Sequence, residues 1–130
     1  MTPQRIQLSR VSGFRLQAAS LALNGRPAVK VDRTTRWGNP FRVGHPGGAY
    51  TAKVETRRHA WQLYASAVEE QPRLIAAARE FLAGKNLACW CPLPAPGAHD
   101  ECHAAVLLVI ANPDLPVDPR LAALMGLPWD

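Results

Sequence analysis

The hydrophobic pattern of the chain changes its period, and this change constrains the fold more than any other feature. Residues 5–11 and 28–32 alternate between apolar and polar side chains, as half-buried strands do. From Lys53 onward the apolar residues recur at helical spacing instead. One helical face carries Val54, Trp61, Tyr64 and Val68. The pattern therefore predicts two strands followed by an amphipathic helix over residues 52–70.

Prolines and glycines mark the other boundaries. Pro72 suits the first turn of a second helix, which ends before Gly84. The remaining predicted elements are a partly helical segment around 16–23, a strand over 87–91, and helices over 102–111 and 119–125. Because strands separated by helices tend to pair in parallel, this order predicts a small single α/β domain. We expect a short, largely parallel sheet flanked by helices, with a core over about 5–112 and a C-terminal tail over 113–130.

Composition narrows the classes of function and location. The chain has 130 residues, of which 48% are hydrophobic, so it is globular rather than disordered. Its net charge of +5 favours a nucleotide or nucleic acid as partner. The polar N-terminus and the absence of a long apolar run predict a cytoplasmic protein with no membrane contact. In that compartment three cysteines, an odd number, are expected to stay reduced.

All three cysteines lie close together, between positions 89 and 102. Strand alternation places Cys89 and Cys91 on one face, and Cys102 and His103 fall at the start of the next helix. In open α/β sheets, ligands bind beyond the carboxyl ends of strands. A helix N-terminus offers free N–H groups and a partial positive charge, which favour anions and lower the pKa of a thiol. This segment is therefore the first candidate for a site.

Three interpretations of the cysteine segment are open. In the first, Cys89, Cys91, Cys102 and His103 bind zinc, although a C-x-C spacing is less typical than C-x₂-C and adjacent helical side chains diverge by about 100°. In the second, Cys91, Cys102 and His103 line a ligand pocket without a cofactor, and Cys102 or His103 is catalytic as nucleophile or acid/base. In the third, the cysteines are simply buried as small apolar residues.

A second candidate segment follows the second strand. It contains Arg33, Arg36, Trp37, Gly38 and Asn39. The arginines could hold phosphate groups, the tryptophan could stack on a base, the glycine could let the backbone approach a ligand, and the asparagine could bind a polar edge. The alternative is a structural turn anchored by buried Trp37 and Phe41.

Taken together, the two segments resemble domain of unknown function family 4326, whose members occur in bacteria and their phages. The resemblance rests on RIQLSR, VKVDRTTRWGNPF and GKNLACWC…CHAAVLLVIAN, from about residue 5 to 112. It implies a phage or prophage origin but no activity. It also implies the signature positions Trp37, Gly38, Asn39, Pro40, Cys89, Cys91, Cys102 and His103. Two departures are a longer proline-rich loop over 92–101 and Asp32, where relatives more often have glycine.

Three hypotheses of function follow. The first is a small protein that binds or acts on a nucleotide or nucleic-acid component. The site would lie between the WGNPF loop and the helix that begins at Cys102. Whether this protein is an enzyme is open, and glycosidic transfer and phosphoryl transfer are the two reactions considered. The second is a zinc-stabilised module that binds nucleic acid without catalysis. The third is a phage or prophage accessory protein that binds a host protein. Exposed apolar residues in the C-terminal tail would favour the third, but the tail could equally pack on the core or form a homo-oligomer.

Overall fold

The secondary structure consists of short strands and helices that alternate along the chain. The computed structural model describes residues 2–47 and 53–129. The strands are β1 (Arg5–Gln7), β2 (Ala28–Lys30) and β3 (Asn86–Cys89). The helices are α1 (Leu16–Asn24), α2 (Arg57–Ala67), α3 (Pro72–Phe81), α4 (His103–Ala111) and α5 (Pro119–Met125). This order confirms the predicted α/β class, although the strands are shorter than the alternating pattern suggested.

The three strands form one parallel sheet with β3 in the centre. Arg5 of β1 pairs with Leu87, and Ala28 of β2 pairs with Asn86. Because β3 has a neighbour on each side, all four of its residues are buried. The ladder ends soon after Cys89, where the carbonyl oxygen of that residue accepts the last bond, 2.9 Å long, from the backbone N–H of Leu8. Beyond this point the chain leaves the sheet, and the space that it leaves contains the site described below.

Helix α2 begins later than its hydrophobic face predicts. Thr56 is the N-terminal cap, and its hydroxyl oxygen accepts a hydrogen bond of 3.0 Å from the backbone N–H of His59. Val54 is fully buried, as the helical face suggested, but it forms a backbone bridge with Val43 rather than a helical turn. The predicted start at residue 52, which lies outside the described residues, was therefore too early. At the other end the helix continues as a 3₁₀ turn, Val68–Glu70.

Helices cover both faces of the sheet. On one face, Phe14 and Leu16 at the start of α1 pack against a small cluster of Ile6, Leu8, Ala28 and Ala88. On the other face, α2 to α5 enclose the larger core, which contains Leu87 and Cys89 of β3. The alternation predicted for the cysteine strand is confirmed, since Ala88 and Cys89 belong to opposite faces.

The C-terminal segment packs back onto this larger core. Leu121 and Met125 of α5 are buried in it, and Leu124, Leu127 and Trp129 pack against it while partly exposed. The apolar residues that could have formed a docking surface are thus largely covered by the chain itself. Within the described residues, no helix is both long and apolar enough to traverse a lipid bilayer.

Candidate ligand pocket with three thiols

A pocket of about 230 Å³ opens where β2 and β3 end and α4 begins. This is the place where open α/β sheets bind ligands, because loops diverge there on either side of a strand. Six residues proposed from the sequence line the pocket: Arg33, Asn39, Cys89, Cys91, Cys102 and His103. The fold thus brings the cysteine segment and part of the WGNPF segment to one cavity.

The three cysteine side chains converge at the floor of this pocket. Their sulfur atoms all lie within 4.8 Å of one another, and Cys89 Sγ is 3.9 Å from Cys91 Sγ. Cys89 is the last residue of β3, and Cys91 lies two residues beyond it with its sulfur on the same side. Cys102 joins them from the N-terminal cap position of α4. All three thiols are free, with Cys89 and Cys102 buried and Cys91 partly exposed.

Among the three thiols, Cys91 is the one whose pKa is lowered. The pKa of Cys91 is lowered because the thiols of Cys102 and Cys89 hydrogen-bond to its sulfur, and the nearby Arg57 guanidinium adds to the effect. The pKa of Cys102 is raised because its proton is held in bonds to Cys89 and Cys91, and burial acts in the same direction. The bond with Cys102 lowers the pKa of Cys89, but the bond with Cys91 and burial outweigh it, so the net direction is upward.

His103 supports the cluster from inside the fold. It is 4% exposed, and its Nε2 lies 2.5 Å from the carbonyl oxygen of Val31. A carbonyl only accepts, so Nε2 carries the proton, and the unprotonated Nδ1 faces Cys102 Sγ at a distance of 3.8 Å. Burial lowers the pKa of His103 and keeps the imidazole neutral. Both ring nitrogens therefore contact protein groups, and His103 reaches the pocket through Cys102.

A buried arginine from β1 fixes the loop that joins β3 to α4. The Arg5 guanidinium donates to the carbonyl oxygens of Cys91 and Pro92, at 2.7 and 2.6 Å, and forms an ion pair with Asp100. One side chain thus holds together the beginning and the end of this loop. The sequence did not indicate Arg5, because a charged residue at the start of an alternating strand is usually exposed to solvent.

Trp37 and Gly38, which begin the WGNPF segment, and Arg36 before them lie outside this pocket. Trp37 is 5% exposed in the larger core, and the Arg36 guanidinium lies over its ring, 4.8 Å from the centroid. Gly38 meets the chain's own backbone, since a Cβ there would be 2.5 Å from Arg33 Cα and 2.9 Å from the Asp32 carbonyl oxygen. Arg36 and Gly38 line a separate cavity of about 210 Å³ next to Tyr64. These three residues have the geometry of the structural turn, which was the alternative interpretation.

Asn39 and Arg33 do reach the pocket. The Asn39 amide donates to the Ala60 carbonyl of α2 at 3.1 Å, and its oxygen accepts from the backbone N–H of Phe41 at 2.9 Å. Asn39 thereby fastens the loop to α2. Arg33 is exposed at the pocket, and its Nη2 donates to the Phe41 carbonyl oxygen at 3.0 Å. A guanidinium has five N–H donors, so this single bond leaves most of them for a ligand.

The structure adds pocket residues that sequence reasoning did not select. They include Asp32, Arg57, Trp61, Trp90 and Glu101. Asp32 and Trp90 follow strands directly, so the rule about carboxyl ends of strands could have indicated them. The Asp32 carboxylate accepts from Trp90 Nε1 at 2.9 Å and so holds the indole beside the pocket. Arg57 and Trp61 come from α2, whose contact with the pocket no local pattern reveals.

Comparisons with known proteins add one finding. A family model described as a domain of unknown function (DUF4326) matches residues 15–113. The match includes every residue of the pocket and leaves out β1 and α5. Comparisons with curated proteins and with solved structures found no match.

Proposed function

Because the chain belongs to the DUF4326 family, whose description assigns no activity, we propose a function from the pocket itself: it binds a small anionic ligand of the nucleotide class. One observation carries this proposal. Arg33 and Arg57 both line a pocket at the carboxyl ends of two parallel strands, beside the N-terminus of α4. Guanidinium groups bind phosphates with paired hydrogen bonds, and this end of a parallel sheet is where nucleotides are commonly held.

The N-terminus of α4 supports an anionic ligand. No described side chain caps it, because the Cys102 side chain at the cap position makes no bond to the first turn. The N–H groups of that turn therefore have no side-chain partner, and they carry the positive end of the helix dipole. A phosphate group near Arg33 and Arg57 would gain from both sources of positive potential.

The aromatic partner for a base is Trp90 rather than Trp37. Trp90 lines the pocket, is 38% exposed, and is held in place by its bond to Asp32. The Arg10 guanidinium lies 4.5 Å from the centroid of its ring, on one face. A base would stack on the other face, as in sites where bases pack between aromatic and guanidinium groups. Trp61 adds apolar surface to the pocket.

The experiment is a measurement of thermal stability against a panel of nucleotides, nucleosides and short oligonucleotides at fixed salt. A ligand that binds only the folded state adds about 2.7 kcal/mol at 100 times its dissociation constant. We expect a shift with one class of phosphate-bearing ligand and its loss in Arg33→Ala and Arg57→Ala. Exposed Arg42 is not among the pocket residues, so Arg42→Ala is the matched control.

Arg36→Ala separates the two assignments of the phosphate site. The sequence suggested Arg36 as a phosphate ligand, whereas the cavity next to Tyr64 places it away from Arg33 and Arg57. We expect Arg36→Ala to retain the shift with the ligand. Retention in Arg33→Ala and Arg57→Ala, or no shift with any member of the panel, would argue against the proposal.

A zinc-stabilised module that binds nucleic acid without catalysis is the second candidate. The convergence of three thiols favours it. It requires that a chelator unfold the protein and that oligonucleotide binding weaken steeply with salt. The third hypothesis, binding to a host protein, loses its supporting feature because the apolar C-terminal residues pack on the core.

A further inference from the structure

The spacing of the three sulfur atoms matches that of a metal–thiolate site. Zinc–sulfur bonds are about 2.3 Å long, so the sulfurs of a tetrahedral site lie about 3.8 Å apart. Cys89 Sγ and Cys91 Sγ are 3.9 Å apart, and Cys102 Sγ lies within 4.8 Å of both. A shift of about 1 Å or less at Cys102 would therefore complete three corners of a tetrahedron. The C-x-C spacing, which is atypical for zinc, works here because the chain beyond β3 returns Cys91 Sγ to within 3.9 Å of Cys89 Sγ at the end of the strand.

We propose that Cys89, Cys91 and Cys102 bind one Zn²⁺ ion through three thiolates, with the fourth coordination position open to the pocket. Three thiolates in a partly buried site select a soft or borderline ion. Three protein ligands with one open position are typical of catalytic rather than structural zinc. The three cysteines are the whole ligand set, which distinguishes this site from the Cys₃His set considered from the sequence.

His103 is a positioning residue in this proposal. Its Nε2 proton is donated to Val31, and its Nδ1 faces Cys102 Sγ. Among the described residues, the group of ligand atoms within 4.8 Å of one another contains the three sulfurs and neither ring nitrogen. When Cys102 gives up its proton to bind the metal, no hydrogen bond to Nδ1 remains, and the buried imidazole positions the Cys102 side chain by packing.

The other ligand types that line the pocket have partners elsewhere. Asp32 accepts from Thr34 and Trp90, and Glu101 accepts hydrogen bonds from Arg58 Nε and Nη2. A water molecule or a ligand group therefore takes the fourth position. Three thiolates and Zn²⁺ carry a net charge of −1, and Arg57 beside Cys91 offsets it. Binding also expels the thiol protons, so affinity for the metal rises with pH.

The metal site itself rests on the thiols. Only the identity of the group in the fourth position rests on the proposed function. The two proposals fail separately: metal binding is read with metal alone, and ligand binding is read with the nucleotide panel on metal-free and zinc-loaded protein. Zinc binding without any nucleotide shift supports the metal site and contradicts the proposed function. A nucleotide shift without zinc binding does the reverse.

The test begins with reduced, metal-free protein titrated with Co²⁺, a spectroscopic substitute for Zn²⁺, followed by competition with Zn²⁺. We expect thiolate-to-cobalt charge-transfer absorption that saturates at one ion per chain and is abolished by Zn²⁺. Cys89→Ser, Cys91→Ser and Cys102→Ser should each weaken binding by about 100-fold or more, since even supporting residues change metal affinity 10- to 100-fold. Absence of the charge-transfer band in the wild type overturns the proposal.

His103→Asn decides between three ligands and four. We expect it to weaken Co²⁺ binding by about tenfold and to leave the charge-transfer and visible bands in place. His99→Asn is the matched control, because His99 bonds to Asp118 outside the cluster. Loss of the bands in His103→Asn, with retention in the control, would assign a Cys₃His site and overturn the open position.

If the serine variants fail to fold, a second measurement on the wild-type protein still tests the proposed ligand set. The chain has only three cysteines, so alkylation counts the members of the cluster directly. Zn²⁺ should protect all three thiols from alkylation in the folded protein, and a chelator should restore their reactivity. Protection of fewer than three would overturn the proposed ligand set.

Discussion

Gly38 lies where two stretches of backbone come closest. A Cβ at this position would be 2.5 Å from Arg33 Cα, a contact that backbone cannot relieve without shifting. We expect Gly38→Ala to lower the free energy of unfolding by about 1–3 kcal/mol, the usual cost of overpacking. Urea denaturation measures this loss, and Ala at exposed Arg42 serves as the control for the same loop. Equal stability of Gly38→Ala and the wild type would show that the close approach is not required.

Asp32 is expected to give the protein a specific sensitivity to acid. Burial alone would raise its pKa, but bonds from Thr34 and Trp90 outweigh burial and lower it. A carboxyl whose folded pKa is depressed contributes stability above its unfolded value, about 3.9, and loses it as pH falls through the folded value. Asp32→Asn should therefore cost about 2 kcal/mol at pH 7, and the difference should shrink below about pH 4.

Urea denaturation at pH 7 and pH 3 measures the effect of Asp32→Asn. Exposed Asp114 provides the control, since Asp114→Asn should change stability little at either pH. A difference between wild type and Asp32→Asn that stays the same at both pH values would contradict the role given to these bonds.

At the level of single residues, the sequence predicted which cysteines line the pocket better than it predicted which arginines do. Thiols are rare, and strand alternation together with a helix start predicts where they point. Arg36 and Arg33 sit three positions apart in a loop, and no periodicity tells which guanidinium faces a pocket and which lies over Trp37. Arg5 and Arg57 contribute through contacts with segments distant in the chain, which local patterns do not encode.

Strand β3 begins with a buried polar residue that joins it to α1. The Asn86 amide donates to Ser20 Oγ at 2.7 Å and to Asn24 Oδ1 at 2.8 Å, and Asn24 donates back to Asn86 Oδ1 at 2.8 Å. Removing this amide leaves buried groups without partners. We expect Asn86→Ala to cost about 3 kcal/mol in urea denaturation, with Lys85→Ala as the control at the adjacent position.

A double-mutant cycle tests whether this network acts as a unit. Because Asn24 and Asn86 bond reciprocally, the loss in the Asn24→Ala, Asn86→Ala double variant should be clearly smaller than the sum of the two single losses. Additive losses would show that each asparagine is satisfied independently.

For the helices and strands, the sequence predicted the type of each element more accurately than the residues at which it begins and ends. Helix α3 begins at Pro72 and α5 spans Pro119–Met125, as the proline and apolar patterns predicted. Helix α2 starts later than the apolar pattern predicted because the cap at Thr56 sets its first residue. Val54 fits the same apolar pattern because it is buried, but it lies in a backbone bridge before the helix. Periodicity reports burial, and burial does not distinguish the last extended residue from the first helical one.

For the molecule as a whole, α5 is part of the core rather than an appendage. Met125 is 1% exposed within the larger core. We expect Met125→Ala to lower the free energy of unfolding by about 3 kcal/mol, because it leaves a cavity. Met125→Leu, which conserves volume, should cost less than about 1.5 kcal/mol. Similar stabilities of the alanine variant and the wild type would mean that α5 is dispensable. Homo-oligomer formation through this segment stays a prediction, to be measured by light scattering.

The pairing order of the sheet has a consequence for how the protein is made. Strands β1 and β2 do not pair with each other, because each of them pairs with the central strand β3. The hydrogen bond from Arg5 to the Cys91 carbonyl oxygen joins residues 86 positions apart in the chain. On the ribosome, the first two strands must therefore wait unpaired until most of the chain has been synthesised, and closing so long a loop slows folding. The cysteines emerge just as the sheet can first form. A nascent chain thus exposes Cys89 and Cys91 for as long as this slow closure takes, until Arg5 and the sheet enclose them.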